Sequence, residues 1–162
     1  MGLRETILGL LEKDARLTAE RVAVMTGFPE AQVAAEIAAM EKEKVILAYG
    51  AVVDWEKTER DPVTALIEVR ITPQRGQGFD RIAHRIYSYP EVKSCYLMSG
   101  GFDLMVILSD DSLKAVANFV SERIAPLESV QSTATHFILK KYKMQGVAFA
   151  PRVEDDREVL PI

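Results

Sequence analysis

The apolar residues of this chain change period once, near Val45, and that change limits the folds open to it. Before it the spacing is helical throughout. Ile7, Leu8 and Leu11, then Val22 and Met25, recur as one face of an amphipathic helix would require. Thr18 stands just ahead of its run and suits an N-cap. Gly27-Phe28-Pro29 then breaks the pattern. Gly27 can close one helix in a left-handed conformation, and Pro29 suits the first turn of the next. Val33, Ile37 and Met40 resume at i, i+4 and i+7. Three short helices, with a glycine-containing turn between the second and third, make a helix-turn-helix.

After Val45 the period is mixed. Val45, Ile46, Tyr49, Val52, Val53 and Trp55 favour extended backbone and read as a strand or linker leaving the helical unit. Glu56 to Pro62 is a charged loop and the natural domain boundary. From there strand and helix patterns alternate. Ala65, Ile67, Val69 and Ile71 form one face of a strand. Pro73 to Gly78 is a loop. Phe79, Ile82, Ala83, Ile86 and Tyr87 form a helical stripe that stops before Pro90. Val92 to Met98 is a second strand, and Ser99-Gly100-Gly101-Phe102 a turn. Leu104 to Leu108 is continuously apolar, as in a central strand covered on both sides. Leu113, Val116, Ala117, Val120 and Ile124 form a second helical stripe ending at Pro126, and Val130 to Lys140 a long last strand.

The order βαββαβ is the ferredoxin-like one, with two helices on one face of a four-stranded sheet. The chain is therefore an α+β protein. Its expected parts are a helix-turn-helix domain at 1–50, a linker at 51–62, a ferredoxin-like domain at 63–146 and a solvated tail at 147–162. The second sheet face has no cover within the chain, and another copy is its natural cover.

Composition narrows the function. There are 20 Lys and Arg against 24 Asp and Glu, a net charge of −4, which disfavours indiscriminate binding to nucleic acid. No apolar run approaches the ~20 residues that cross a bilayer. Met1 to Asp14 is charged throughout with no apolar signal core, so a cytoplasmic location is expected. Cys95 is the only cysteine, so neither an internal disulfide nor a zinc cluster is expected, and no cofactor is implied. Cys95 itself reads as a small core residue.

Four stretches, in order, resemble the Lrp/AsnC family of prokaryotic regulators. They are ILGLLEKDARLTAERVA, EKEKVILAYGAVVDW, YPEVKSCYLMSGGFDLMVIL and VQSTATHFILKKYK. The most specific pairing is Gly101-Phe102-Asp103 followed some thirty residues later by Ser132-Thr133-Ala134-Thr135. The resemblance implies a winged helix-turn-helix that enters double-stranded operator DNA as a pair. It also implies a second domain that dimerises through its sheet, with dimers assembling further, often to octamers. A small amino acid would bind between subunits near the glycine turn and alter assembly or DNA affinity.

The DNA surface expected here is sparse in charge. Gln32 and Ala35, on the exposed side of the third helix, would face the major groove, where glutamine can read adenine. Arg16, Arg21, Lys42 and Lys44 would lie near phosphates. The third helix has no basic residue before Lys42, so affinity would depend on avidity between copies. A module that binds an amino acid and assembles, with little or no operator binding, is the alternative.

For the effector, the expected site is Ser99, Gly100, Gly101, Phe102 and Asp103, completed by Thr133 or Thr135. Backbone N–H groups at such a turn can cradle a carboxylate, and Asp103 can accept from an α-ammonium. Because Asp103 sits at a turn, its replacement is expected to leave the fold intact. Tyr96 and Met98 share a strand face and would line either the pocket or a dimer interface. Some relatives of this two-domain layout are haem-pathway decarboxylases that lean on histidines. Here His84 and His136 are the only two, with no acid or nucleophile at motif spacing, and no enzyme activity is expected.

Overall fold

A computed structural model describes residues 2–72 and 78–149. The chain divides into two compact units, 1–53 and 54–162. Most of the Pro73 to Gly78 loop, and the tail from residue 150, lie outside the described residues.

The first unit holds α1 (Leu3–Leu11), α2 (Ala19–Thr26) and α3 (Glu30–Lys42). The expected punctuation is in place. The Thr18 hydroxyl accepts the Arg21 backbone N–H at 3.3 Å and caps α2. Gly27, at φ 75°, closes it in the left-handed region that a side chain resists. Pro29 immediately precedes α3. Ile7, Leu11, Val22, Ala23, Val33 and Met40 form the core, with Ile37 and Ile46 packed against it. Met25, read as part of the buried stripe, is exposed, and Ala23 takes its place. The helix ends with Lys44 at φ 61°, which lets the Val45 and Ile46 N–H groups both reach the Met40 carbonyl. Residues 47–54 then run as neither helix nor strand. Their β-rich composition finds no partner strand within the unit, and Leu47 stands 82% exposed. Trp55–Lys57 is a single 3₁₀ turn rather than a continuation of extended chain.

The second unit is the four-stranded antiparallel sheet with two helices that the period predicts. Its elements are β1 (Val63–Ile71), α4 (Asp80–Tyr87), β2 (Val92–Leu97), β3 (Leu104–Asp110), α5 (Leu113–Phe119) and β4 (Val130–Phe137). The strand order β2-β3-β1-β4 puts β1 and β3 at the centre. Ala65, Ile67, Val69 and Ile71 meet Leu104, Val106 and Leu108 on one face, where Ile82, Ile86, Val116, Phe119, Val120 and Ile124 close over them. Each of the larger side chains, Ala65 excepted, contributes on the order of 1.5–3 kcal/mol through burial.

Four details differ from the expected pattern. Met105 and Ile107 are only half-buried, so β3 is central but covered on one face. Leu113 is 55% exposed, and the stripe is carried by Val116, Phe119, Val120 and Ile124 instead. After Phe119 the helix widens to a π turn over Val120–Ile124, which keeps Val120 and Ile124 over the sheet. The last strand stops at Phe137, and a short hairpin follows, β5 (Lys143–Met144) with β6 (Val147–Ala148). That hairpin spans the expected start of the tail. Its turn residues Gln145 and Gly146 both have positive φ, 47° and 81°, as a tight hairpin turn demands.

Candidate functional site

The first unit presents α3 as its recognition element. At about 100° per residue, Ala35, Ala38 and Lys42 lie opposite Val33 and Met40, with Gln32 at the margin. Gln32, Ala35, Lys42 and Lys44 are all exposed, as are Arg16 and Arg21. Not all the cations are unengaged. Arg16 forks onto Asp14, with Nε at 3.0 Å from Oδ1 and Nη2 at 3.2 Å from Oδ2. That pairing holds the Asp14 carboxyl below its usual range and raises the guanidinium.

A cation missed in the sequence also matters here. Arg4, on α1, bonds Glu36 at 2.7 Å and Glu43 at 2.7 and 3.0 Å, bridging two acids of α3 and its C-cap. The Glu43 carboxyl is depressed by that bond. Glu36 and Glu43 are seven residues apart, two helical turns, so one guanidinium can serve both. Lys44 is held in place by the left-handed backbone that ends α3.

In the second unit the turn Ser99–Asp103 joins β2 to β3. Gly100 takes φ 142°, a conformation that favours glycine, and nothing would contact an added Cβ there. Ser99, Gly100 and Gly101 are exposed, while Phe102 and Asp103 are half-buried. Asp103 does more than end the turn. Its N–H donates to the Val69 carbonyl at 3.0 Å, and its Oδ2 accepts the Ile71 N–H at 2.7 Å. Ile71 lies where β1 shifts register against β4. Asp103 is therefore a structural residue as well as a candidate ligand group, contrary to the expectation drawn from its place at a turn.

Thr133 is the register partner of Val69, so the sheet brings it to the same end as the turn. Thr135 pairs with Ile67, two residues further along, about 6.6 Å away. Both threonines are half-buried on the helix-covered face. Tyr96 pairs with Met105 and lies on the other, open face. Cys95 packs against the core, and burial raises its thiol above the usual range, which makes it a poor nucleophile.

The open face carries a second feature the sequence did not show. His136 Nε2 lies 3.1 Å from Glu68 Oε1. The two are 68 residues apart, and only the pairing of β1 with β4 joins them. They sit among Leu66, Met105, Ile107 and Ala134. Among the described residues no group of three or more His, Cys, Asp or Glu is placed to hold a metal. No helix there is long and apolar enough to cross a membrane.

Residues 64–148 match the family model for the Lrp/AsnC ligand-binding domain. Over 155 residues the chain is 48% identical to YugG, an uncharacterized HTH-type transcriptional regulator of Bacillus subtilis (strain 168), covering 95% of this chain and 93% of that one. The chain belongs to the Lrp/AsnC family. Solved structures share the fold. Escherichia coli AsnC aligns over 88% of this chain and 93% of its own, with TM-score 0.67 at 20% identity. The regulator NMB0573 of Neisseria meningitidis, in a complex with L-Met, aligns over 89% and 92%, with TM-score 0.71 at 22% identity. A helix-turn-helix joined to a ferredoxin-like domain is thus the architecture of both chain and family. The second unit contains the family's ligand-binding domain, and the chain as a whole aligns with an HTH-type regulator.

Proposed function

We propose that this chain is an effector-responsive transcription regulator. Paired helix-turn-helix units dock on operator DNA, with Gln32 and Ala35 toward the major groove and Arg16, Arg21, Lys42 and Lys44 toward phosphates. A small α-amino acid binds at the turn Ser99–Asp103, with Thr133 or Thr135 completing the site from a neighbouring strand. The observation that carries the effector reading is the turn itself. An exposed glycine backbone adjoins a carboxylate, and Thr133 is delivered to the same end of the sheet. A zwitterion needs a carboxylate cradle and an ammonium acceptor close together, and this end of the sheet offers both. The L-Met complex of a protein with the same fold supports the ligand class.

The copies associate through the open sheet face, where Leu66, Tyr96, Met105 and Ile107 surround Glu68 and His136. The assembly is at least a dimer, and four dimers in an octamer is the larger form the family suggests. A ligand shared between subunits shifts assembly by its differential affinity for the two states.

The test is calorimetry with each amino acid, on the wild type and on Asp103→Asn. The expected result is heat with at least one amino acid, and weaker binding by the variant. Equal affinities move the site elsewhere, and no heat on the wild type removes the effector. A second reading has a specific motive. The first unit has eight acidic against six basic side chains, which favours an amino-acid-binding assembly without operator contact. A gel shift at low salt with genomic fragments separates the two.

A further inference from the structure

The charge balance of the chain is reversed over its longest stretch without an acidic residue. Between Glu128 and Glu154 there is no acidic residue, while Lys140, Lys141, Lys143 and Arg152 fall within that span. The first unit, which must approach phosphates if it binds DNA, is by contrast acidic, and Arg4 and Arg16 are already bonded to its own carboxylates. The three lysines flank the start of the β5–β6 hairpin. The hairpin is a defined element, with paired strands, two positive-φ turn residues and a Phe149 N–H bond to the Tyr142 carbonyl at 2.9 Å. Lys140 Nζ sits 5.1 Å from the Tyr142 ring centroid, and Tyr142 is 67% exposed. Glu56 and Asp61 line a cleft with Lys140 and Lys141. Yet among the described residues none of the three lysines is within ion-pair distance of a carboxylate.

We propose that the hairpin Lys140–Phe149 is a second DNA contact, one that grips the phosphate backbone without reading sequence. The inference rests on the regulator reading above and extends it to a part of the chain outside the helix-turn-helix. Duplex DNA is the partner this surface fits. Clustered, unpaired ammonium groups gain most from a polyanion, through release of its condensed counterions. A phenol beside them can add a hydrogen bond to a phosphate oxygen. Contacts of this kind set affinity and position, and base contacts from α3 set the sequence. The hairpin thus supplies attraction that the acidic first unit lacks.

The experiment compares the wild type with Lys140→Gln/Lys141→Gln/Lys143→Gln. Binding to a mixed-sequence duplex of about 60 base pairs is followed by fluorescence anisotropy across a salt series. Each lysine withdrawn from a phosphate should flatten the log–log salt slope by about 0.9. The expected result is a slope shallower by two or more and markedly weaker binding at low salt. The control Lys93→Gln/Lys114→Gln, elsewhere on the same unit, should leave the slope near the wild type. Light scattering and thermal melting on each variant report assembly and folding. Wild-type binding with an unchanged slope in the triple variant overturns the hairpin contact alone. So does an equal flattening by the control, or a triple variant that loses its oligomeric mass, since the lysines would then act through total charge or through subunit contact. A wild type that binds no duplex overturns the regulator reading together with the hairpin.

Discussion

Replacing Asp103 with alanine should cost stability as well as any ligand contact. Its Oδ2 holds the Ile71 N–H at 2.7 Å, and Ile71 is 5% exposed, so water is a poor substitute for the missing acceptor. A hydrogen bond to a charged group contributes about 1.5–3 kcal/mol, and an orphaned buried donor costs a similar amount. The second unit is close to a hundred residues long, and in a domain of that size 1 kcal/mol moves Tm by about 4–8 °C. Asp103→Ala should therefore lower the melting temperature of the second unit by on the order of 10 °C. Asp103→Asn keeps an acceptor for Ile71 and loses only the charge, so it should melt much closer to the wild type, within about 1 kcal/mol. Calorimetric melting of the three proteins, each without amino acids, makes the comparison. If Asp103→Ala melts with the wild type, the carboxylate does not hold the end of β1 and the reasoning fails. If both variants fall equally, charge rather than hydrogen bonding is the cause. The asparagine variant is also the proper reagent for ligand work, because it separates the ammonium contact from the fold.

Three further outcomes are expected. Lys44→Gly should stabilise the first unit by up to about 1 kcal/mol in urea titrations, since a left-handed residue without Cβ is unstrained, and should weaken DNA binding by removing a cation near phosphate; a destabilised variant would refute the strain at Lys44. Ile107→Glu, on the open sheet face, should reduce the oligomeric mass in light scattering without unfolding the chain, whose core lies on the other face; an unchanged mass would place the interface elsewhere. Asp14 and Glu43 have folded pKa values below their ordinary 3.8 and 4.5, so their contribution is complete at neutral pH. It is lost as the pH falls through the depressed values. Glu43 is exposed and Asp14 only partly covered, so the effect is small and should shrink further in high salt; acid melting of the first unit that is identical at low and high salt would contradict it.

Most of the architecture could be read along the chain because it is written in local terms. Thr18 punctuates a helix through its hydroxyl and Gly27 and Pro29 through their own backbone preferences, and the period of Ala65 to Ile71 states which face is buried. The misses come from contacts across the chain. Leu113 has the right spacing for the α5 stripe yet stands exposed, while Phe119, which the spacing did not single out, is buried with Tyr89 edge-on at 5.3 Å. The strand signal of Val130 to Lys140 does not reveal where β4 leaves β1, which happens after Phe137 pairs with Ala65 and the Ile138 N–H bonds the Thr64 carbonyl. Of the candidate site, the glycine turn is legible as a local run and Thr133 through the family resemblance, while its place at the same end of the sheet comes from the pairing of β4 with β1. The second task of Asp103, the bridge from Arg4 to Glu36 and Glu43, and the Glu68–His136 pair depend on long-range pairing that no motif encodes.

The two edges of the sheet differ from its faces in one consequential way. Along β2 the register against β3 slips between Val92 and Ser94, with Lys93 at the slip. On the other edge the slip falls on β4, where Ser132 pairs with Arg70 and Val130 with Ile71, which leaves Gln131 between them without a register partner on β1. Irregular pairing and a charged side chain make an outer strand a poor template for another strand. The open face, partly apolar, has no such protection. Copies of this chain should therefore join by stacking sheets, which closes after a fixed number of partners. Lateral strand addition, which has no natural end and leads to fibres, is discouraged by the same slips that end each ladder.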